Sequence, residues 1–403
     1  MSQSHHHSRP LEGITVLELG QLIAGPFAGS ILAYFGAEVI KVEPPGQGDP
    51  LRSWRVLENG TSLWWRSLGR NKKCVTLNLR QDEGRRLARS LADGADVLIE
   101  NFRPGTMERW GLGPTDLKAT NPGLIYARIS GYGQDGPYAS RPGFAAVCEG
   151  IGGLRYLNGL PGAPPVRPNL SLGDTLAGLH AALGILLAVI ERRQAPGARG
   201  QVVDVAIYEA VFNMLEAVVP EYDGAGVVRG PSGSTVTGIA PTNTYICGDG
   251  KYVVIGGNAD SIFQRLMRAA GRPDMAEDPR FANNSGRVAN EAEIDEAITA
   301  WTKTLASNAV LEKLAAAAVP AGPIYSVEDM MQDPHFQARG LFEAVNIEGR
   351  SLKLPAIVPI LSETPGGTDW PGPSVGAHNE EVLGGRLGLS DVELQALQRN
   401  GIV

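Results

Sequence analysis

Short apolar runs alternate with amphipathic stretches through the first half of the chain. Ile14-Thr15-Val16-Leu17-Glu18-Leu19 predicts a buried strand, and Gly20, Gly25 and Pro26 predict a turn before a helix over 27–35. A second strand is expected over 38–42, and a crossover of that length joins parallel strands. The cycle repeats as strand 74–79, helix 81–92 and strands 97–99 and 124–129. A long apolar helix over 174–193, a strand over 201–205 and a helix over 208–218 follow. This alternation predicts an α/β fold with an open, doubly wound, Rossmann-like parallel sheet.

Beyond residue 220 the pattern changes. Gly224, Gly226, Gly230, Pro231, Ser232, Gly233, Ser234 and Gly238 give a linker-like stretch, so a domain boundary is expected there. Runs at 244–247 and 252–255 flank Gly248-Asp249-Gly250-Lys251, a hairpin signal. Helices over 262–270, 291–304 and 308–318 complete a smaller α+β unit, with another hairpin over 341–347 and 352–354 and a terminal helix over 391–398.

Composition narrows the function classes. The chain has 403 residues, too long for one mid-sized domain. Its net charge of −7, with no basic stripe, argues against nucleic acid as a partner. The longest wholly apolar stretch, 181–190, is about half of what a membrane span needs and predicts a core helix. Cys74, Cys148 and Cys247 lie far apart without zinc or redox spacing, which fits reduced thiols in a cytoplasm. Residues 1–10, with His5-His6-His7, are expected to be a disordered leader, and no histidine motif suggests a metal.

The candidate chemistry lies in the turns. Glu43 ends a strand where a ribose-binding acid would sit, but Gly20-Gln21-Leu22-Ile23-Ala24-Gly25-Pro26 lacks the glycines that let a backbone approach a pyrophosphate. Arg70-Asn71-Lys72-Lys73 is either a solvated loop or a grip on phosphates. Glu100-Asn101-Phe102-Arg103-Pro104-Gly105 leaves the carboxyl end of a strand, the ligand-binding edge of such sheets, and Arg103 and Arg109 follow. Ser130-Gly131-Tyr132-Gly133-Gln134-Asp135-Gly136-Pro137-Tyr138 is either a simple turn or a close backbone approach to ligand. Asp174 opens the long apolar helix, where capping alone would explain an aspartate and nucleophilic chemistry is the alternative.

Taken together, these motifs resemble those of the family III CoA-transferases. The likeness runs through Val16-Leu17-Glu18-Leu19 with Ala24-Gly25-Pro26, Gly36 to Glu43, Asn71-Lys72-Lys73, Glu100 to Gly105, Gly173-Asp174 and Val375-Gly376-Ala377-His378-Asn379-Glu380-Glu381. The resemblance implies a large Rossmann-like domain from 11–220 and 341–403, linkers and a small α+β domain over 221–340, and an interlocked homodimer. It implies Asp174 as the nucleophile, with backbone N–H groups beside Gly173 steadying oxyanions. Coenzyme A enters as a thioester co-substrate and no cofactor is tightly bound. Ala24, Asn71, Lys72, Lys73, Asn101, Phe102, Arg109 and Arg141 are its expected contacts. Thr235-Val236-Thr237-Gly238-Ile239-Ala240 resembles the family's glycine loop, with one glycine where some members carry a run.

Acyl-CoA racemases share the expected fold but carry a His-Asp pair where this chain has Phe144-Ala145, which leaves no base for proton abstraction. A CoA-binding module without catalysis is the other alternative. The overall likeness implies transfer from succinyl-CoA to a dicarboxylic acid of the itaconate, citramalate, malate or glutarate type. Arg52, Arg66, Arg103 and Arg167 are candidate partners for the distal carboxylate.

Overall fold

A computed structural model describes residues 9–194, 197 and 199–403. Of the expected leader, residues 1–8 lie outside the described residues, and Arg9 is held by an ion pair to Asp369 at 2.6 Å. The chain divides into two compact units. The larger comprises the chain up to Leu154, then 168–216 and 337–403, and the smaller comprises 155–167 and 217–336.

In chain order the larger unit contains β1 (Thr15–Glu18), α1 (Ala24–Tyr34), β2 (Glu38–Glu43), α2 (Leu63–Leu68), β3 (Lys72–Thr76), α3 (Asp82–Asp93) and β4 (Val97–Glu100). Then come β5 (Ile125–Ser130), α4 (Ala145–Ile151), α5 (Leu172–Gln194), β6 (Val202–Ala206) and α6 (Ile207–Phe212). The six strands are all parallel in the order β3-β2-β1-β4-β5-β6. Chain order reverses between β1 and β4, so the crevice beyond their carboxyl ends is the expected ligand position.

Alternate residues of each strand feed opposite faces. Val16, Val39, Val97 and Ile99 pack with α1 and α5, while Leu17, Ile40, Val42 and Leu98 pack with α3 and the C-terminal Val403. Helix α5 has the length and hydropathy of a membrane span, yet Ala177, Ala181, Ala182, Ile185, Ala188 and Val189 bury one face of it in this core.

The smaller unit holds β7 (Thr242–Ile246), β8 (Tyr252–Gly256), α7 (Asp260–Ala269), α8 (Glu291–Thr302), α9 (Ser307–Ala316) and β9 (Ala321–Pro323). Its antiparallel sheet runs β9-β8-β7 over a separate core that includes Tyr245, Phe263, Phe281 and Ile298. Back in the larger unit, β10 (Phe342–Ile347) and β11 (Arg350–Pro355) form the expected hairpin, and α10 (Asp391–Arg399) ends the chain.

Several elements depart from their expected bounds. Helix α1 starts at Ala24, before Pro26, because a proline in the first turn forfeits no helical hydrogen bond. Strand β3 starts at Lys72, ahead of Cys74, because the Lys72 charge is buried against Glu18. The expected helix over 208–218 stops at Phe212, and Glu216 then adopts φ 51°.

Candidate active site

Helix α5 begins at Leu172, so Asp174 stands inside its first turn and the capping position falls at Ser171. The opposite end is pinned by Arg192, which donates to Asp96 Oδ1 at 2.7 Å and to the Gly123 carbonyl at 3.0 Å. Both acceptors precede the strands β4 and β5, so α5 runs from the carboxyl edge of the sheet to its amino edge. Asp174 therefore lies at the carboxyl edge, where a ligand is expected in such a sheet.

Close helix packing sets its neighbours. A Cβ at Gly178, one turn below Asp174, would meet the Ala24 carbonyl oxygen at 2.6 Å and Phe27 Cδ1 at 3.0 Å. Only glycine permits this approach of α5 to the first turn of α1. On the other side of α1, a Cβ at Gly25 would stand 3.6 Å from Asn101 Cγ. Asn101 Oδ1 accepts the Gln21 N–H at 2.8 Å, and its amide donates to the Gln21 carbonyl at 2.8 Å. Phe102 packs edge-on to Trp110 at 5.1 Å, while Arg109 donates to Thr106 Oγ1 at 3.0 Å and Arg103 is exposed. Asp174, Ala24, Asn101, Phe102, Arg103 and Arg109 are thus grouped at the carboxyl edge.

Beneath them lies a buried ionic network. Lys41 Nζ is 3.2 Å from Glu18 and 2.9 Å from Asp49, and it also donates to the Gly20 carbonyl. Asp49 accepts the N–H of Leu22 at 3.1 Å, holding that residue at φ 64°. The Gly20–Gly25 turn is therefore fixed from below by charges that face no water. Glu100, at the end of β4, accepts the Phe102 N–H at 2.8 Å and pairs with Arg128 at 2.8 Å. Burial pushes its carboxyl up to about 7, against the downward pull of Arg128 and that N–H.

Other expected contacts are placed elsewhere. Lys72 is wholly buried, its ammonium 2.8 Å from Glu18 and donating to the Pro26 carbonyl at 2.6 Å, so its charge serves the interior and not a phosphate. Burial lowers its pKa despite the attraction of Glu18. Asn71 is tied to the Gly367 carbonyl at 2.7 Å and the Asp369 N–H at 2.7 Å. Lys73 pairs with Glu38 at the start of β2 and with Glu381. Asn71 and Lys73 thus stand at the amino edge, away from Asp174.

Arg52 is spent on a two-pronged pair with Glu43 at 2.8 and 2.7 Å, and Arg66 donates to the Gly372 carbonyl at 2.9 Å. Neither guanidinium is directed solely to a substrate. Arg141 lies 3.7 Å from the centre of the Tyr138 ring. Arg167 and Gly238 belong to the smaller unit, where Gly238 closes a tight turn bridged by Val236 and Ile239 and its carbonyl accepts from Asn284 at 2.8 Å. Phe144 precedes α4 and is 70% exposed.

One neighbour of Asp174 escaped the sequence reading. Glu149 on α4 is fully buried and its Oε1 accepts the Gly173 N–H at 3.2 Å. That amide is therefore committed to Glu149. A lone acid in the small, apolar run Ala145 to Gly153 was the available signal. Cys148 beside it donates to the Gly131 carbonyl at 3.3 Å; burial, with the charges of Asp174 and Glu149, pushes its thiol up to about 11, so it stays protonated at neutral pH. Among the described residues, no group of three or more His, Cys, Asp or Glu is arranged to hold a metal.

Comparison with known proteins accords with this geometry. The chain is 46% identical over 402 residues to a succinyl-CoA–D-citramalate CoA-transferase of Chloroflexus aurantiacus, covering 99% of this chain and all of that one. It is 42% identical to the alpha subunit of a succinyl-CoA–L-malate CoA-transferase of Chloroflexus aurantiacus, over 98% of this chain and 92% of the other. A crystal structure of a CAIB/BAIF family protein from Brucella suis superposes with TM-score 0.83 at 34% identity, covering 94% of this chain and 100% of that one. The sequence profile of CoA-transferase family III matches residues 11–379, and the chain belongs to that family of enzymes.

Proposed function

We propose that this enzyme moves CoA from succinyl-CoA to a dicarboxylic acid of four to six carbons, of the citramalate, malate, glutarate or itaconate type. The observation that carries the reading is Asp174 in the first turn of α5, held at the carboxyl edge beside α1 and the Asn101–Phe102 turn. The names of the similar transferases from Chloroflexus aurantiacus support the donor and the acceptor class.

The residues suit a covalent relay. The Asp174 carboxylate attacks the thioester carbonyl, the C–S bond breaks, and a mixed succinyl-aspartyl anhydride forms with CoA thiolate leaving. The thiolate then attacks the aspartyl carbonyl and releases succinate, leaving an aspartyl-CoA thioester. The acceptor carboxylate attacks that thioester to give a second anhydride, and the returning thiolate takes the acceptor's acyl group and frees Asp174. The CoA thioesters of the donor and acceptor acids are similar in energy, so the overall exchange needs neither ATP nor a redox partner. Ala24, Asn101, Phe102 and Arg109 are proposed to hold CoA through the exchange, with Arg141 and Arg103 as further cationic contacts. The active form is proposed to be a homodimer; the apolar outer face of α5 supports this.

The test is direct. Incubation with succinyl-CoA followed by hydroxylamine or borohydride trapping should modify the peptide carrying Asp174, as read by mass spectrometry. Asp174→Ala should lower transfer by at least about 10³-fold, as loss of a covalent nucleophile does. Modification at another residue, or a fully active Asp174→Ala, would sink the reading. A dicarboxylate panel assayed with the wild-type enzyme identifies the acceptor.

A further inference from the structure

Helix α4 delivers a second carboxylate to the base of the nucleophile's helix. Glu149 is fully buried, unusual for an acid unless its oxygens are satisfied, and Oε1 accepts the N–H of Gly173 at 3.2 Å. The contact is crowded as well as polar. A Cβ at Gly173 would come within 3.2 Å of Glu149 Cγ, 3.2 Å of Ile207 Cγ2 and 3.4 Å of Ala145 Cβ. Glycine at 173 is therefore what allows the first turn of α5 to press onto α4 and onto the start of α6, with Glu149 as the hook. Asp174 is the next residue along the backbone, so the position of its Cα is set by the same contact. The Cys148 thiol, adjacent to Glu149 in sequence, senses both carboxylates, which places the pair in one electrostatic neighbourhood.

We propose that Glu149 is a positioning residue for the Asp174 nucleophile, acting through its hydrogen bond to the Gly173 N–H. The proposal rests on the reading of Asp174 as nucleophile. The early helical amide of Gly173 donates to the Glu149 carboxyl oxygen, a donor that would otherwise require a water in a buried site. Fixing that amide fixes the approach line of the carboxylate to the thioester carbonyl, where a displacement of about 1 Å is worth about 10²-fold in rate. The role is geometric, so an amide oxygen at the same place should serve nearly as well as a carboxylate. It is also specific to the chemical step, because Glu149 lies behind the helix turn and not among the residues proposed to hold CoA.

Four variants separate this role from general support of the core: Glu149→Gln, Glu149→Leu, Glu149→Ala and Gly173→Ala. Glu149→Gln keeps an acceptor for Gly173 and should retain kcat within about threefold, whereas Glu149→Leu and Glu149→Ala should lose about 10²-fold in kcat. KM for succinyl-CoA should move less than about threefold in all of them, and the single-turnover rate of aspartyl-CoA formation should fall in step with kcat. Gly173→Ala crowds Glu149 Cγ and Ile207 Cγ2 at 3.2 Å, so these side chains must give by a few tenths of an ångström, and a fall in kcat smaller than that of Glu149→Leu is expected, with KM unchanged. A folded Glu149→Leu with wild-type kcat overturns the proposal. So does a Glu149→Gln as slow as Glu149→Ala, or a loss confined to KM. Failure of the transferase reading is distinguishable, because the wild-type enzyme itself would then form no aspartyl adduct.

Discussion

Burial decides what each charged residue is for. Glu100 is the instructive case: its carboxyl is lifted to about 7 by desolvation, although Arg128 and the Phe102 N–H favour its charged form. A carboxyl whose folded pKa lies above its unfolded value stabilises the fold fully below the unfolded value, and the contribution is lost as pH rises through about 7. Stability should therefore fall between about pH 4.5 and pH 7 by on the order of 3 kcal/mol from this residue. Urea unfolding at the two ends of that window checks the sign, and Glu100→Gln, which retains an acceptor for Phe102, should flatten the profile. A slope unchanged in Glu100→Gln assigns it to other groups.

The same principle explains what the sequence could not convey at this scale. Capping alone would explain Asp174 at the mouth of an apolar helix, so only the motifs that accompany it in the sequence mark it as a candidate nucleophile. Lys72 and Lys73 looked alike on paper, yet one is sealed against Glu18 and the other sits in a half-open pair with Glu38. Adjacent residues of a strand point to opposite faces, and a run of cations carries no mark of which partner each will find.

At the scale of elements, the alternation of strands and helices was easily read, because a parallel sheet covered on both faces demands it. Element boundaries were less legible wherever a buried charge replaced an apolar residue, as at Lys72. Glu149 was missed for a related reason: α4 is short, and its function depends on contact with the start of α5, some twenty-five residues later. Helices α1 and α5 share one core cluster, and their closest approach is at Gly178, which has no room for a side chain. Gly178→Leu should force the helices apart, since even a Cβ would meet the Ala24 carbonyl oxygen at 2.6 Å. Overpacking of this kind costs about 1–3 kcal/mol. Thermal unfolding should show the loss, and KM for acyl-CoA should rise because the Ala24 turn moves. A variant with wild-type Tm and KM would show that the two helices do not set the site.

At the scale of the whole molecule, α5 has two faces with different fates. One is core. The other carries Leu179, Leu183, Leu187 and Ile190 at helical spacing, each more than half exposed, along a groove that also includes Val203 and Phe212. A contiguous apolar strip of this kind is seldom left to water, and a second copy of the chain is the occupant that the proposed homodimer supplies. Leu183→Glu with Leu187→Glu tests it. In a monomer both glutamates would face solvent, and the fold should tolerate them with little loss. In a dimer each would bury a charge without a partner, at several kcal/mol per ion after relaxation, against interfaces whose margin is of similar size. Sedimentation velocity should show the wild-type enzyme as a dimer and the double variant as a folded monomer with little or no CoA transfer, since α5 also carries Asp174. A wild-type monomer, or a double variant that still sediments as a dimer, would remove this face from the interface.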